Sequence, residues 1–334
     1  MVKTSNSSIN YFSKNFVDLD SDQLALARRS RKWLVEQIEK FPNTVENFPT
    51  IYTKKNDVQM GSFSRRTKIR PIDDIDFMVV FSGQGATYSE NSYTGIVNIA
   101  LTDNAITLNK FLNNFGGVCS IRLLNKLKSS LINVPQYSSA DVRRNMEAVT
   151  LKLKSYDWNF DIVPAFLTSE NSEGKSYYLI PDGYGNWKKT DPRIDAARTT
   201  AINQSNDGKV LKFIRLIKYW NKRPTMPSIS SYLLENMVLN YFENSFDKYV
   251  SEQWTLYEIF SYLQNAIYSS CSDPKGIQGD LNQLPTDIKL KVAQAANQAA
   301  ICSQNAIDYS IDGKQKEAHL EWKKVFGLNF PDYV

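Results

Sequence analysis

Residues 61–76 read Gly61-Ser62-Phe63-Ser64-Arg65-Arg66-Thr67-Lys68-Ile69-Arg70-Pro71-Ile72-Asp73-Asp74-Ile75-Asp76, and their reading decides the fold. A Gly-Ser pair follows the strand-like Asp57-Val58-Gln59-Met60. Asp74 and Asp76 then alternate with apolar residues that run on through Phe77-Met78-Val79-Val80-Phe81. Residues i and i+2 of a strand point to the same side, so both carboxylates are expected on one face, with Ile75 and Phe77 toward a core. Paired carboxylates suit hard divalent cations, and a Gly-Ser turn lets backbone N–H groups approach a phosphate closely. The combination points to two-metal nucleotidyl transfer. Asp73 is expected on the opposite side, in a structural role.

A second strand-like stretch, Trp158-Asn159-Phe160-Asp161-Ile162-Val163-Pro164-Ala165-Phe166, carries one carboxylate among apolar residues. Burying such a group without a partner is expensive. Set beside Asp74 and Asp76 on a neighbouring strand, Asp161 would complete a three-carboxylate metal site and could accept a proton from a sugar hydroxyl. Further on, Lys212, Arg215 and Lys218 recur at a spacing of three on an apolar helical pattern. They read equally as a phosphate-contacting stripe and as a wet helix edge. A helix start at Ser228-Ile229-Ser230-Ser231-Tyr232 would suit a triphosphate tail, and Tyr232 could stack on a base.

Around these motifs, residues 20–40 have helical spacing and Asn104 to Asn114 reads as a helix, while 82–92 reads as a polar loop. Strands are expected at Glu147–Ser155, Trp158–Phe166, Tyr177–Ile180 and Trp187–Thr190. Segments 193–205, 208–222, 229–247, 254–270, 285–307 and 313–325 all read as helices. The chain is therefore α/β (α+β) over residues 1–190 and largely helical over 191–334. Ser272–Asp280 is the candidate for least order.

The 334 residues, 42% hydrophobic and 22% charged with a net charge of +5, describe an ordinary globular chain that compels no nucleic-acid partner. Arg28-Arg29-Ser30-Arg31-Lys32 is expected to be a charged helical face. No apolar run reaches membrane-span length and no signal peptide is evident; the expected site of action is the cytoplasm. Three cysteines (Cys119, Cys271, Cys302) and one histidine, His319, offer no zinc-ligand spacing. The thiols are expected to be reduced, and His319 to be a solvated surface residue.

Taken together, these motifs resemble the DNA polymerase β-like nucleotidyltransferases. Within them the chain is similar to the bacterial cGAS/DncV-like nucleotidyltransferases (CD-NTases), relatives of cyclic GMP-AMP synthase and oligoadenylate synthase. The resemblance rests on Met60-Gly61-Ser62-Phe63-Ser64, Asp74-Ile75-Asp76, Phe160-Asp161-Ile162-Val163-Pro164-Ala165, Thr190-Asp191-Pro192, Lys218-Tyr219-Trp220-Asn221, Ser230-Ser231-Tyr232-Leu233-Leu234-Glu235 and the closing Trp322–Pro331. It implies a nucleotidyltransferase core with a mixed sheet and an N-terminal spine helix, joined to a helical oligoadenylate-synthase-like C-terminal domain that closes the nucleotide pocket. Asp74, Asp76 and Asp161 would hold two Mg²⁺ ions (or Mn²⁺). Gly61 and Ser62 would grip the donor triphosphate, Lys218 and Ser231 would contact its phosphates, and Tyr232 would stack on its base.

The implied activity joins nucleoside triphosphates, ATP among them, into a cyclic di- or trinucleotide with loss of pyrophosphate. That product would act as a second messenger on a separate effector in antiphage CBASS signalling. The histidine/cysteine zinc insertion of the animal enzyme is missing, so activation by duplex DNA is not supported. The same carboxylates would serve synthesis of linear oligonucleotides or RNA tailing, and a nucleotide-binding module without chemistry is the third reading. Base choice is expected to lie in Ala165–Ser176 and around Tyr232.

Overall fold

The computed structural model describes residues 4–52, 57–244 and 250–333. Its helices are α1 (Ser5–Phe12), α2 (Ser21–Ile38), α3 (Phe41–Thr44), α4 (Gly61–Ser64), α5 (Ser120–Ile132), α6 (Pro192–Ser205), α7 (Val210–Asn221), α8 (Ser231–Asn244), α9 (Glu252–Ala266), α10 (Thr286–Ile311) and α11 (Gln315–Phe326). The strands are β1 (Asp57–Gln59), β2 (Asp74–Phe81), β3 (Thr87–Glu90), β4 (Val97–Ala100), β5 (Asp141–Asn145), β6 (Ala148–Lys152), β7 (Asn159–Leu167), β8 (Tyr178–Pro181) and β9 (Trp187–Thr190). Positions 245–247 of the helix expected over 229–247 lie outside the described residues. The chain forms two compact units: Met1–Asp20, Arg66–Pro71 and Ile194–Val334 in one, Ser21–Arg65 and Ile72–Arg193 in the other. It passes between them four times, so the short segment 66–71 belongs with the helices although the residues on either side of it belong with the sheet.

In the sheet unit, the described strands run β1-β2-β7-β8-β9-β4-β3, and β6 also pairs with β7 and carries β5. The sheet is mixed: β2 and β7 are parallel, whereas β1–β2, β6–β7 and β7–β8 are antiparallel. Beyond its two aspartates β2 is buried throughout. Ile75 and Phe77 are fully enclosed on one face, and Met78 and Val80 pack with Ala148, Val163, Ala165, Tyr178 and Ile180 on the other. A strand buried on both faces reads as a continuous apolar run, as 77–81 does. The alternation of aspartates with apolar residues marks where one face opens.

Several elements were invisible to sequence patterning. The segment 82–92 contains β3, whose side chains are all exposed. It lies at the end of the sheet order and, among the described residues, pairs with β4 alone, so no apolar face is demanded of it. Asn104–Asn114 holds a 3₁₀ turn, Ile106–Phe111, in place of an α-helix. The serine-rich α1 was also missed. Thr4 and Ser7 form a reciprocal capping box at its start, and Ile9 and Phe12 supply its buried stripe.

In the helical unit, Phe12 meets Tyr219, Phe326 and Phe330 at ring-centroid distances of 5.0, 5.1 and 5.4 Å. The same core takes in Ile69, Trp220, Phe260 and Trp322. The segment 66–71 is tied down by polar contacts as well. Arg70 donates to the carbonyls of Asn15 (3.0 Å), Lys14 (3.3 Å) and Asp18, covering carbonyls left open at a helix end. Arg215 bonds the Asp18 carboxylate at 2.6 Å and the Arg66 carbonyl at 2.8 Å. Lys212 pairs with Glu252 at 3.2 Å. The wet-edge reading of the basic stripe is thus corrected: these cations are internal ties, and Lys218 is buried beside Glu235 at 3.7 Å. Thr67, fully enclosed, donates to the same Glu235 oxygen at 2.8 Å.

Two other expectations are overturned. His319 is buried, with Nδ1 donating to the Gln315 carbonyl at 2.7 Å and Nε2 against the Ser8 hydroxyl. Helical periodicity places it on the inner side of α11 with Trp322 and Phe326. Ser272–Asp280 is a bonded loop rather than a loose one. The Asp273 carboxylate accepts from the N–H groups of Lys275, Ile277 and Gln278 at 3.3, 3.2 and 3.0 Å.

Removing one member of a buried ion pair leaves an uncompensated charge, so Glu235→Ala is expected to cost about 3–5 kcal/mol. Urea unfolding monitored at 222 nm checks this, and an unchanged midpoint would contradict it. Burial holds the His319 imidazole below its usual value. The unfolded chain therefore binds the extra proton, and stability is lost as pH falls through the ordinary imidazole range of about 6.5. The thermal midpoint of the wild-type protein is expected to drop more steeply than that of His319→Gln between about pH 7.5 and 5.5. Parallel slopes would contradict the assignment.

Candidate active site

The parallel register sets Asp76 directly opposite Asp161, with Asp74 opposite Asn159. Side chains two apart share a face, so all three carboxylates project from the same side of β2 and β7. Each offers an oxygen, and these oxygens lie within 4.8 Å of one another. All three residues are half-buried. Like charges so close repel strongly, and a divalent cation among them turns that repulsion into attraction. Hard carboxylate oxygens in a cluster are the donor set that Mg²⁺- or Ca²⁺-like ions take, so the triad can hold a metal ion.

Gly61 lies against this row. It opens α4 at φ +70°, a conformation that side chains other than glycine's rarely adopt. A Cβ built there would fall 2.0 Å from Asp76 Oδ2 and 2.9 Å from its Cγ. Glycine is thus required twice, for the backbone turn and for the approach of that backbone to the carboxylate. The Met60 N–H, just ahead, donates to the Asp76 carbonyl at 3.3 Å. Ser62 follows in the same short turn. Asp73 is turned to backbone work, its Oδ1 accepting from the Asp74 N–H at 3.0 Å.

One group in this row escaped the sequence reading. Thr150 on β6 is the register partner of Asp161 and donates to its Oδ1 at 2.5 Å. The alternation over Glu147–Ser155 placed Thr150 on a polar face, but nothing local said which carboxylate that face would meet. Ala165–Ser176, by contrast, is carried away from the carboxylates. Ala165 is four residues beyond Asp161 along β7, which at ~3.3 Å per residue is roughly 13 Å.

Lys218, Ser231 and Tyr232 belong to the helical unit. Lys218 is on α7 and its ammonium is engaged by Glu235. Ser231, exposed, is the first residue of α8. Tyr232 is half-buried, and its hydroxyl donates to Asp195 Oδ1 at 2.7 Å, with Asp273 Oδ1 at 3.3 Å. The Lys275 ammonium sits 4.4 Å from the Tyr232 ring centroid and pairs with Asp273 at 2.9 Å and Asp195 at 3.4 Å. Burial first, then the bond to Asp195, push the Tyr232 phenol far up, so it stays protonated. Its ring plane is held by these partners, and Lys275 covers one face.

A methyl group at residue 61 would have to displace the Asp76 carboxylate. Gly61→Ala is therefore expected to weaken Mn²⁺ binding at least about tenfold, the lower end of what misplacing a ligand costs. Electron paramagnetic resonance of free Mn²⁺ reads this directly, and wild-type affinity in that variant would contradict the close approach.

No protein-family model matches the chain. A Bacillus cereus (strain VD146) protein described as a probable cyclic nucleotide synthase is 53% identical over 336 residues, covering 100% of this chain and 99% of that one. The cyclic AMP-AMP-AMP synthase of Escherichia coli (strain MS 115-1) is 22% identical over 322 residues, 88% of this chain and 90% of its own. Escherichia coli DncV in its 3′-deoxy GTP bound form shares the fold, with a TM-score of 0.68 at 13% identity and 97% of each chain covered. Identity of this extent over the whole length, on this fold and around this row of aspartates, makes the chain a member of the cGAS/DncV-like nucleotidyltransferases, the cyclic nucleotide synthases.

Proposed function

We propose that this protein joins nucleoside triphosphates, ATP among them, into a cyclic di- or trinucleotide, releasing pyrophosphate at each transfer. The observation that carries the reading is the cross-strand row of Asp74, Asp76 and Asp161 with the backbone of Gly61 pressed against it. The donor set suits a divalent cation, and Asp74, Asp76 and Asp161 would hold two, Mg²⁺ or Mn²⁺. Bound there, they would offset the triphosphate charge and make the attacking ribose hydroxyl more acidic. Asp161 accepts that hydroxyl's proton. Gly61 and Ser62 hold the donor triphosphate through the turn's N–H groups and the serine hydroxyl. Lys218 and Ser231 contact its phosphates, and Tyr232 stacks on its base.

Positioning and charge neutralisation are enough for this chemistry. That is consistent with a site built without histidine, the one His319 being spent inside the helical core. The curated E. coli relative is named for a product of three AMP units, which supports ATP as a substrate here. The product would serve as a second messenger in the bacterial cytoplasm, acting on a separate effector in antiphage defence. Residues 1–190 would supply the catalytic core and 191–334 the groups that close on the nucleotide. Among the described residues no helix is long and apolar enough to cross a membrane.

The test is to incubate purified protein with Mg²⁺ or Mn²⁺ and the four NTPs, one labelled at a time, beside Asp74→Ala/Asp76→Ala. Products are treated with phosphatase before chromatography and mass spectrometry. The expected result is a phosphatase-resistant species with the mass of a cyclised di- or trinucleotide, lost in the variant. Linear, phosphatase-sensitive chains would replace this reading with template-free polymerisation. Nucleotide binding without product, across all four NTPs and both metals, would replace it with a binding module.

A further inference from the structure

The acidic row does not end at Asp161. Thr150 flanks Asp161 on β6 as Asp76 flanks it on β2, so Asp76, Asp161 and Thr150 stand side by side across three adjacent strands. The next row along the same face, Met78, Val163 and Ala148, is apolar and buried. Thr150 is thus the only group of β6 in this stretch of the face that brings a hydroxyl to the carboxylates, and it donates to Asp161 Oδ1 at 2.5 Å.

We propose that Thr150 is a positioning residue for Asp161, fixing the plane of its carboxylate so that it faces the cation site shared with Asp74 and Asp76. The proposal rests on the reading of that triad as the cation site. A carboxylate on a strand turns easily about its last torsion, whose energy profile is broad. A β-branched threonine is confined at χ1, so its hydroxyl is a donor with a fixed origin. An ionised carboxylate only accepts, and a hydroxyl bond to it is short and strong. With one direction of Asp161 taken by Thr150, the group still offers an oxygen within 4.8 Å of those of Asp74 and Asp76. Partners that orient metal-binding carboxylates in this way are worth roughly 10–100-fold in metal affinity. The sheet itself asks only for a β-branched shape at residue 150, which valine supplies equally well. The hydroxyl is what the site uses.

The experiment compares Thr150→Val and Thr150→Ser with the wild-type protein, with Thr150→Ala as a second hydroxyl-free variant. Mn²⁺ binding is measured by electron paramagnetic resonance without nucleotide, alongside urea unfolding and the Mn²⁺ dependence of turnover. Thr150→Val is expected to keep the unfolding midpoint and the KM for NTP, while its Kd for Mn²⁺ rises about tenfold or more. Raising Mn²⁺ should then recover most of the lost turnover, and Thr150→Ser should bind Mn²⁺ close to wild type. Wild-type Mn²⁺ affinity in Thr150→Val or Thr150→Ala would overturn the proposal and leave Thr150 a satisfied strand residue. Asp161→Asn separates the two claims: if it binds Mn²⁺ normally, the cation site itself is misassigned and the role of Thr150 falls with it.

Discussion

Everything at the candidate site depends on the parallel pairing of β2 with β7. Register decides which side chains become neighbours, and a slip of one residue turns every side chain to the other face. Here the pairing is held by apolar residues on both faces of the strands: Ile75, Phe77, Phe160 and Ile162 on one, and Met78, Val80, Val163 and Ala165 on the other. These residues have no chemistry of their own. They fix Asp76 against Asp161, and the hydrophobic burial that drives the sheet together offsets the repulsion of carboxylates brought within 4.8 Å.

The second constraint is the chain between Gly61 and Asp74. Gly61 is pressed on Asp76, yet a few residues later the segment 66–71 belongs to the compact helical unit. There Thr67 and Lys218 share the buried Glu235, while Arg66, Arg70, Arg215 and Asp18 tie backbone to helix. The same short stretch of sequence thus supplies the tight turn at Gly61, a core element of the helical unit and two of the three clustered carboxylates.

Much of this was legible in the sequence because the relevant signals are local. Alternation around Asp74, Asp76 and Asp161 placed each carboxylate on a face, and cap and periodicity signals placed most of the helices. What stayed hidden depends on partners far away in the chain. Lys218 and Arg215 read equally as a phosphate-contacting stripe and as a wet edge until Glu235 and Asp18 arrive. His319 sits among charged neighbours in sequence but turns inward on α11 to meet Ser8. Thr150 gains a role only from register. β3, wholly exposed, has no apolar pattern to betray it.

The most direct test of the central claim is a crystal structure grown with Mn²⁺ and a non-hydrolysable nucleoside triphosphate, read at the Mn anomalous edge. The account predicts anomalous peaks bound by Asp74, Asp76 and Asp161, with the triphosphate beside Gly61 and Ser62. Peaks elsewhere, or a triphosphate bound away from these three carboxylates, would contradict it.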